Sequence, residues 1–215
     1  MNEANDKKWK KVVGGVIGTA VVFGTLALTY PFVFSRSPLP YMATPGAKLK
    51  KALAFIQKSN KQKQLNFVDL GSGDGEAILQ AAKLGFQNST GVELNFTLWS
   101  ISKFRLFRNL TSKERKNTKI IWGDLFIQPL NEANAVLVFG VTPLMRQISQ
   151  KLRKECLPGT YVLSYRFVLP TARSLAVKKD DEDGDRDGDE DEDGSLFNAE
   201  IVYDKEEMRI YKCLQ

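Results

Sequence analysis

Histidine is absent from all 215 residues of the sequence. The chain therefore cannot supply a histidine general base, a Ser-His-Asp triad or a histidine-ligated metal. Cysteine is almost as scarce, since only Cys156 and Cys213 occur and they form no C-x-x-C pair. Neither a disulfide framework nor a zinc site is indicated, and we predict no metal centre.

Basic residues are nearly missing from one stretch. Residues 180–193 hold 11 of the 25 acidic residues but only one of the 31 basic ones. We predict that 180–194 is a disordered acidic insertion, because it cannot bury enough apolar surface to become ordered. Gly194 stands where a calcium loop needs its closing glutamate, so calcium binding is not expected. The rest of the chain has 30 basic and 14 acidic side chains, which favours an anionic partner: an acidic membrane, a nucleic acid or an acidic protein.

Charged residues are also missing from the 23-residue run Val12 to Phe34, which follows four lysines and Trp9. About 20 apolar residues suffice to cross a bilayer, and this run is longer than the apolar region of a cleaved secretory signal. We predict a retained transmembrane anchor, whose orientation cannot be inferred because both of its flanks are basic. The predicted organisation is a basic flank 1–11, the anchor 12–34, a connector with an amphipathic helix 35–60, and a domain 61–215 that contains the acidic insertion.

The rest of the chain is organised around a glycine-rich turn between Phe67 and Glu76. Glycines at alternate positions let the backbone turn sharply and approach a ligand closely. A helix that starts at Glu76 would point its N-terminal amides at that ligand. The third glycine comes one place earlier than in the G-x-G-x-x-G pattern of dinucleotide sites. The predicted cofactor-binding residues of the turn are Asp69, Gly71, Ser72, Gly73, Asp74 and Gly75.

Two further acids follow predicted strands. Glu93 ends a short apolar run 24 residues after the first acid, where a doubly wound fold places the carboxylate that binds ribose hydroxyls. Asp124 comes just after a third apolar run. The D-x-G-x-G-x-G form of the turn resembles motif I of the S-adenosylmethionine-dependent methyltransferases, and this resemblance implies that Asp124 meets the adenine amino group. The predicted cofactor site also includes two residues that follow these acids closely, Asn95 and Leu125.

Periodicity predicts an open α/β sheet around these turns. The other predicted elements are an amphipathic helix after Thr44 and Pro45, a fourth strand Ala135–Phe139, a helix Leu144–Cys156, a fifth strand Thr160–Phe167, and a hairpin of Ala199–Tyr203 and Met208–Cys213 joined by 204–207.

Five short motifs occur in order: Val68–Gly75, Glu93–Asn95, Gly123–Leu125, Val138–Val141 and Arg166–Phe167. With the hydrophobic N-terminal segment and a Pro-Tyr connector, they resemble the mitochondrial protein-lysine methyltransferases that modify the ATP synthase c subunit, and their sister branch acting on the adenine nucleotide translocase. The resemblance implies a seven-strand, Rossmann-like methyltransferase fold, S-adenosylmethionine as donor and a lysine acceptor. It also implies an inner-membrane location, with the catalytic domain expected to face the matrix.

The chain departs from the family pattern at three places. Met42 and Ala43 follow Tyr41 where we expect Val-Pro, Thr142 separates a valine from a proline that the family joins directly, and the acidic tract is inserted. The first two departures affect the acceptor side of the expected site.

An acceptor lysine, with an ordinary pKa of about 10.4, must lose its proton before it can accept a methyl group. Without histidine, that proton would go to water or to a carboxylate. Aromatic rings near the site could hold the methylated cation by cation–π attraction. Motif position makes four aromatic residues candidates for this catalytic role, although core packing is an equally good explanation for each: Tyr41, Phe139, Tyr165 and Phe167.

Two other functions compete with lysine methylation. A basic-aromatic stretch could track phosphates in an RNA methyltransferase; it consists of Lys103, Phe104, Arg105, Phe107, Arg108, Lys113, Arg115 and Lys116. However, the fourth strand is not followed by the Asn/Asp-Pro-Pro-aromatic motif of base N-methyltransferases, so nucleic acid is not the expected partner. A non-catalytic, membrane-tethered binding module is less consistent with the complete donor motif. We therefore expect a lysine methyltransferase of the c subunit or the translocase, with an anionic bilayer as a further partner.

Overall fold

Seven strands form one sheet in the part of the chain that the computed structural model describes: residues 45–60, 64–139, 142–172, 196–205 and 207–214, with Gly18. Apart from Gly18, these residues all belong to one unit that starts at Leu39. The predicted anchor (except Gly18), Tyr41 and the acidic insertion lie outside the described residues. Within those residues, no helix has the length and apolar character needed to cross a membrane.

Helices and strands alternate along most of the chain. In order they are α1 (Gly46–Ser59), β1 (Asn66–Leu70), α2 (Glu76–Lys83), β2 (Asn88–Glu93), α3 (Phe96–Asn109), α4 (Ser112–Lys116), β3 (Thr118–Trp122), β4 (Ala135–Val138), α5 (Thr142–Glu155), β5 (Tyr161–Tyr165), β6 (Ala199–Lys205) and β7 (Met208–Cys213).

The strands are ordered β3-β2-β1-β4-β5-β7-β6. The first five are parallel, while β7 pairs antiparallel with both β5 and β6. Strand order reverses at β1, because β2 lies on one side of it and β4 on the other. Ligands of open α/β sheets bind outside the carboxyl ends of the strands at such a reversal, and the glycine-rich turn follows β1.

Most predicted elements are present, with shifted boundaries. The basic-aromatic stretch forms α3 and α4, two helices that were not predicted from the sequence. Strand β6 continues to Lys205, so the turn between β6 and β7 is shorter than the predicted 204–207 connection. Strand β5 ends at Tyr165, two residues earlier than predicted, because Arg166 has a positive φ of 65° and leaves the extended conformation.

Two hydrophobic clusters cover the two faces of the sheet. Strand β4 is buried on both faces, and alternate residues point to opposite sides. Ala135 and Leu137 belong to the cluster with α1 and α2, whereas Val136 and Val138 belong to the cluster with α5. This double burial is the reason why β4 appears in the sequence as an uninterrupted apolar run.

Gly75 makes close contact between α2 and α3 possible. It precedes α2 with a left-handed φ of 79°, and a Cβ built on it would lie 2.8 Å from the Cβ of the buried Ser102. Gly85, just after α2, has a similar φ of 84°, but in the described part of the chain no atom beyond its neighbours in sequence lies within 4 Å of the position that its Cβ would take. The two glycines therefore share a backbone conformation and differ in the space around them.

We predict that Gly75→Ala lowers the free energy of unfolding more than Gly85→Ala does. Both variants incur the left-handed penalty of about 1–2 kcal/mol. Only Gly75→Ala adds overpacking against Ser102, typically about 1–3 kcal/mol. Denaturant unfolding followed by circular dichroism measures the difference, and equal losses in the two variants would contradict the close packing of α2 on α3.

Candidate active site

The turn after β1 is held in place by backbone hydrogen bonds to β2. The N–H groups of Gly71 and Ser72 both donate to the carbonyl oxygen of Val92, at 3.0 and 2.9 Å. Gly71, Gly73 and Gly75 have φ values of 89°, 52° and 79°, a conformation that side chains other than glycine rarely adopt. Apart from its chain neighbours, no atom of the described residues lies within 4 Å of the position that a Cβ would take on Gly71, so the outer side of the turn is open to a ligand.

Glu93 joins this turn to the end of β2. Its two carboxylate oxygens accept hydrogen bonds of 2.8 Å from the backbone N–H groups of Gly73 and Asn95. The side chain is only 8% exposed. Each oxygen has a second lone pair, so binding of a ribose hydroxyl remains compatible with these bonds. Glu93 therefore positions the turn in addition to its predicted contact with a ligand.

Asp69 is a buried acid beside two other carboxylates. Burial, and then the negative charges of Glu93 and Asp74, raise the pKa of Asp69 from 3.8 to about 8. Its Oδ1 atom and the buried Oγ of Ser72 form no hydrogen bond within the described residues. Buried polar atoms normally have hydrogen-bond partners. These two atoms therefore suit a polar ligand in the turn, such as the positively charged methyl donor predicted from the sequence.

Asp74 is fixed by an ion pair with Arg105 of α3. The same guanidinium lies 3.2 Å from Glu76, the first residue of α2. Asp74 also accepts a hydrogen bond of 3.3 Å from the N–H of Glu76. Arg105 was part of the predicted phosphate-tracking stretch, but the structure turns it inward to the glycine-rich turn.

The residues after Glu93 and Asp124 have mainly local contacts. Asn95 caps α3, because its Oδ1 accepts hydrogen bonds from the N–H groups of Thr97 and Leu98. Asp124 is exposed and accepts a 2.9 Å bond from the N–H of Phe126, while the partly buried Leu125 packs on the α5 side of the sheet. The capping role of Asn95 was not predicted, although Asn before a helix is a common cap signal.

An aromatic cluster stands next to these acids. The ring of Phe96 stacks on Trp99 with centroids 5.3 Å apart, and its centroid lies 5.2 Å from that of Trp122. Phe96 and Trp122 are 56% and 59% exposed. No sequence pattern indicated this cluster, because its members come from two elements separated along the chain.

Three of the four predicted acceptor-side aromatics come together at the carboxyl ends of β4 and β5. Phe139 stacks on Tyr165 with centroids 5.8 Å apart, and Phe167 meets Phe139 edge to face at 6.1 Å. Phe139 is only partly buried, whereas Tyr165 is 2% exposed. The fourth predicted residue, Tyr41, lies outside the described residues.

Known proteins resemble this chain in sequence. Residues 69–176 match the model of the ANTKMT methyltransferase domain. A Caenorhabditis elegans protein named as the lysine N-methyltransferase of the ATP synthase c subunit is 38% identical over 74% of this chain and 84% of its own length. A mouse adenine nucleotide translocase lysine N-methyltransferase is 29% identical over 78% of this chain and 72% of its own.

A solved structure resembles the chain in fold. The RNA methyltransferase of Salinibacter ruber, crystallised with S-adenosyl-L-homocysteine, superposes with a TM-score of 0.56 at 20% identity. The match covers 80% of this chain and 92% of that one. At this identity the likeness concerns the fold alone, and it confirms the predicted seven-strand methyltransferase architecture.

We predict that binding of S-adenosylmethionine releases a proton from Asp69. The donor carries a positively charged sulfonium and ammonium group, which favour the ionised carboxylate. Calorimetry near pH 7 in buffers of different ionisation enthalpy should detect this release in the wild type but not in Asp69→Asn. Equal proton release in both proteins would contradict the assignment.

The raised pKa of Asp69 also predicts how the ligand-free protein responds to pH. The folded state binds this proton more tightly than the unfolded state, so Asp69 favours folding most at low pH. Its contribution falls as pH rises from about 4 through about 8, by up to about 1.4 kcal/mol per pH unit. Unfolding of wild type and Asp69→Asn across this range measures the slope, which the variant should lack.

Glu93→Gln should loosen the glycine-rich turn. Glutamine has one acceptor oxygen, so one of the two backbone N–H groups loses its hydrogen bond. That N–H group would then lie against the amide NH2 of the glutamine, which is also a hydrogen-bond donor. We expect a loss of about 1.5–3 kcal/mol in unfolding free energy and at least about a tenfold loss in S-adenosylmethionine affinity. The exposed Glu132→Gln serves as control in both measurements; wild-type values for Glu93→Gln would show that Glu93 does not hold the turn.

Proposed function

The chain belongs to the family of the ANTKMT methyltransferase domain, and from this membership we propose that it methylates a lysine of a mitochondrial inner-membrane protein. It is a protein-lysine N-methyltransferase that uses S-adenosylmethionine. Our first candidate for the acceptor is the ATP synthase c subunit, and the adenine nucleotide translocase is the alternative. The more similar relative is named for the c subunit, at 38% identity compared with 29% for the translocase enzyme.

The observation that carries the proposed donor site is the arrangement of buried acids around the glycine-rich turn. When bound, S-adenosylmethionine supplies a methyl group on a positively charged sulfur. Asp69, whose pKa is raised to about 8, becomes a buried negative charge at the turn when the cationic donor binds, and Glu93 holds the turn against β2. We assign donor binding to Asp69, Gly71, Ser72, Gly73, Asp74, Gly75, Glu93, Asp124 and Leu125, with Asn95 acting through the cap of α3.

The proposed acceptor side lies where β4 and β5 end. Phe139, Tyr165 and Phe167 form a partly buried aromatic group there. Aromatic rings exclude water and attract a cation whether or not its nitrogen is methylated. Such a group suits a lysine that enters as an ammonium ion and leaves with methyl groups, and positioning of the two reactants is the main contribution that the protein makes.

Charge and exposed aromatic residues favour an acceptor at an anionic bilayer. Outside residues 180–193 the chain has 16 more basic than acidic side chains. On α3, Phe104 and Phe107 are 61% and 66% exposed, and each is covered by an arginine, Arg108 and Arg115 respectively. Basic residues near an anionic membrane surface contribute about 1 kcal/mol each. The predicted anchor at 12–34 would add to this effect by raising the local concentration of membrane-embedded acceptors.

The same surface of α3 keeps an RNA acceptor as the second candidate function. Arginine and aromatic side chains can stack on bases as well as contact phosphates. Arg105, however, is engaged with Asp74 and Glu76, so the surface has one basic residue fewer than the sequence suggests. The proposal for RNA is therefore weaker than that for a membrane protein.

Cells that lack the protein should lose methylation of the c-subunit lysine, and re-expression should restore it. Mass spectrometry of the c subunit and the translocase from the same membranes measures both acceptors. Re-expressed Gly73→Arg, which blocks the turn, should restore neither. If both lysines keep their normal methylation, the acceptor proposal is wrong. Loss of methyl groups from RNA alone would favour the second candidate.

A further inference from the structure

Arg166 and Glu207 have an unusual backbone conformation and contact each other. Their φ values are 65° and 67°, and within the described residues no other non-glycine residue has a positive φ. The N–H of Arg166 donates a 2.8 Å hydrogen bond to the carbonyl oxygen of Glu207. Strained backbone of this kind concentrates at functional sites, so the surroundings of this pair are a candidate binding site.

One carboxylate oxygen of Glu207 gathers three donors. Its Oε2 atom accepts hydrogen bonds from the hydroxyl of Tyr165 at 3.0 Å and from Nζ of Lys48 at 3.1 Å. Nε of Arg166 lies 3.5 Å from the same oxygen. Hydrogen bonds from Lys48 and Tyr165 lower the pKa of Glu207 from its ordinary value. The carboxylate is therefore ionised and oriented, and it is a weak base.

The ring of Tyr165 completes this environment. Its centroid lies 5.4 Å from Nζ of Lys48 and 5.3 Å from Cζ of Arg166, and the ring stacks on Phe139. A primary ammonium thus sits against an aromatic ring and a carboxylate at once. These are the groups that a protein would use to bind the ammonium of a substrate lysine.

This cluster lies on the same edge of the sheet as the glycine-rich turn. Tyr165 ends the parallel strand β5 and pairs with Met208, the residue after Glu207. Helix α1 connects the cluster to the glycine-rich turn. A Cβ built on Gly46, the first residue of α1, would lie 2.3 Å from Oε1 of Glu76, the residue that follows the turn. The first turn of α1 thus contacts the start of α2 through Gly46 and Glu207 through Lys48.

We propose that the ring of Tyr165 and the carboxylate of Glu207 form the binding site for the acceptor lysine's ammonium group, and that Lys48 occupies this site until the acceptor displaces it. The inference rests on the proposed function and adds to it a site, its ligand chemistry and an internal competitor. Because Glu207 is a weak base, it binds and orients the ammonium while the proton leaves to water.

Tetramethylammonium tests the site without donor or acceptor. It has the charge of a methylated lysine and can bind the ring by cation–π attraction, and broadening of its proton NMR signal reports binding to the ligand-free protein. We expect Lys48→Met to increase its affinity about three- to fivefold, in line with the strength of exposed ion pairs and cation–π contacts. Adding Glu207→Gln to Lys48→Met should remove this gain.

Asp204 provides a matched control for Glu207. Both carboxylates belong to the β6–β7 hairpin, their side chains are 48% and 50% exposed, and each is paired with an arginine. Asp204→Asn added to Lys48→Met should leave tetramethylammonium binding unchanged. Equal effects of Asp204→Asn and Glu207→Gln, or no effect of either, would overturn the proposal.

Kinetics with membrane extract as acceptor supply the second measurement. We expect Glu207→Gln to raise KM for the acceptor about fivefold and Lys48→Met to lower it, with calorimetric affinity for S-adenosylmethionine unchanged. An unchanged acceptor KM in an active Glu207→Gln enzyme would overturn this inference but leave the proposed function intact. Absence of methyl transfer by the wild type would instead reject the proposed acceptor. The tetramethylammonium experiment would still test whether Tyr165 and Glu207 bind a cation.

Discussion

The paired hydrogen bonds of Glu93 are the constraint on which the rest of the site depends. The Glu93 carboxylate accepts hydrogen bonds from the N–H of Gly73, in the turn after β1, and from the N–H of Asn95, at the start of α3. The turn, strand β2 and helix α3 are thereby fixed relative to one another. A charged acceptor makes each of these bonds stronger than one between neutral groups, and burial protects both from competition by water. The packing of Gly75 against Ser102 strengthens the same junction.

Negative charge at the carboxyl edge of the sheet is arranged in two distinct ways. At the donor side, Asp69 is fully buried beside Glu93 and Asp74, so ionisation is costly and its pKa rises to about 8. At the proposed acceptor side, Glu207 is half-exposed and surrounded by cations and a hydroxyl, so its pKa falls. The first arrangement favours a ligand that brings its own positive charge, whereas the second favours the ionised form of the Glu207 carboxylate.

The protein surface is mainly positive, in contrast to the acidic groups at the carboxyl edge of the sheet. Outside residues 180–193 the chain is strongly basic, and α3 presents exposed phenylalanines covered by arginines. A positive exterior attracts anionic surfaces over long distances, while the local acids at the edge select cationic groups at contact distance. The long-range attraction and the short-range selection therefore act on different partners, in line with the proposed acceptor lysine beside an anionic surface.

The sequence alone determined the glycine-rich turn, the order of the strands and of the helices other than α3 and α4, and the acids at the ends of β1 and β2, because these features depend on local periodicity and on residue types at short spacing. It also brought Phe139, Tyr165 and Phe167 forward as candidates through their motifs. Only the tertiary structure showed that Arg105 turns inward to Asp74 and that Glu207 meets Tyr165 and Lys48. Glu207 lies 42 residues from Tyr165 and 159 from Lys48 along the chain. Their meeting depends on the insertion of β7 between β5 and β6, a pairing of distant strands that no local pattern in the sequence specifies.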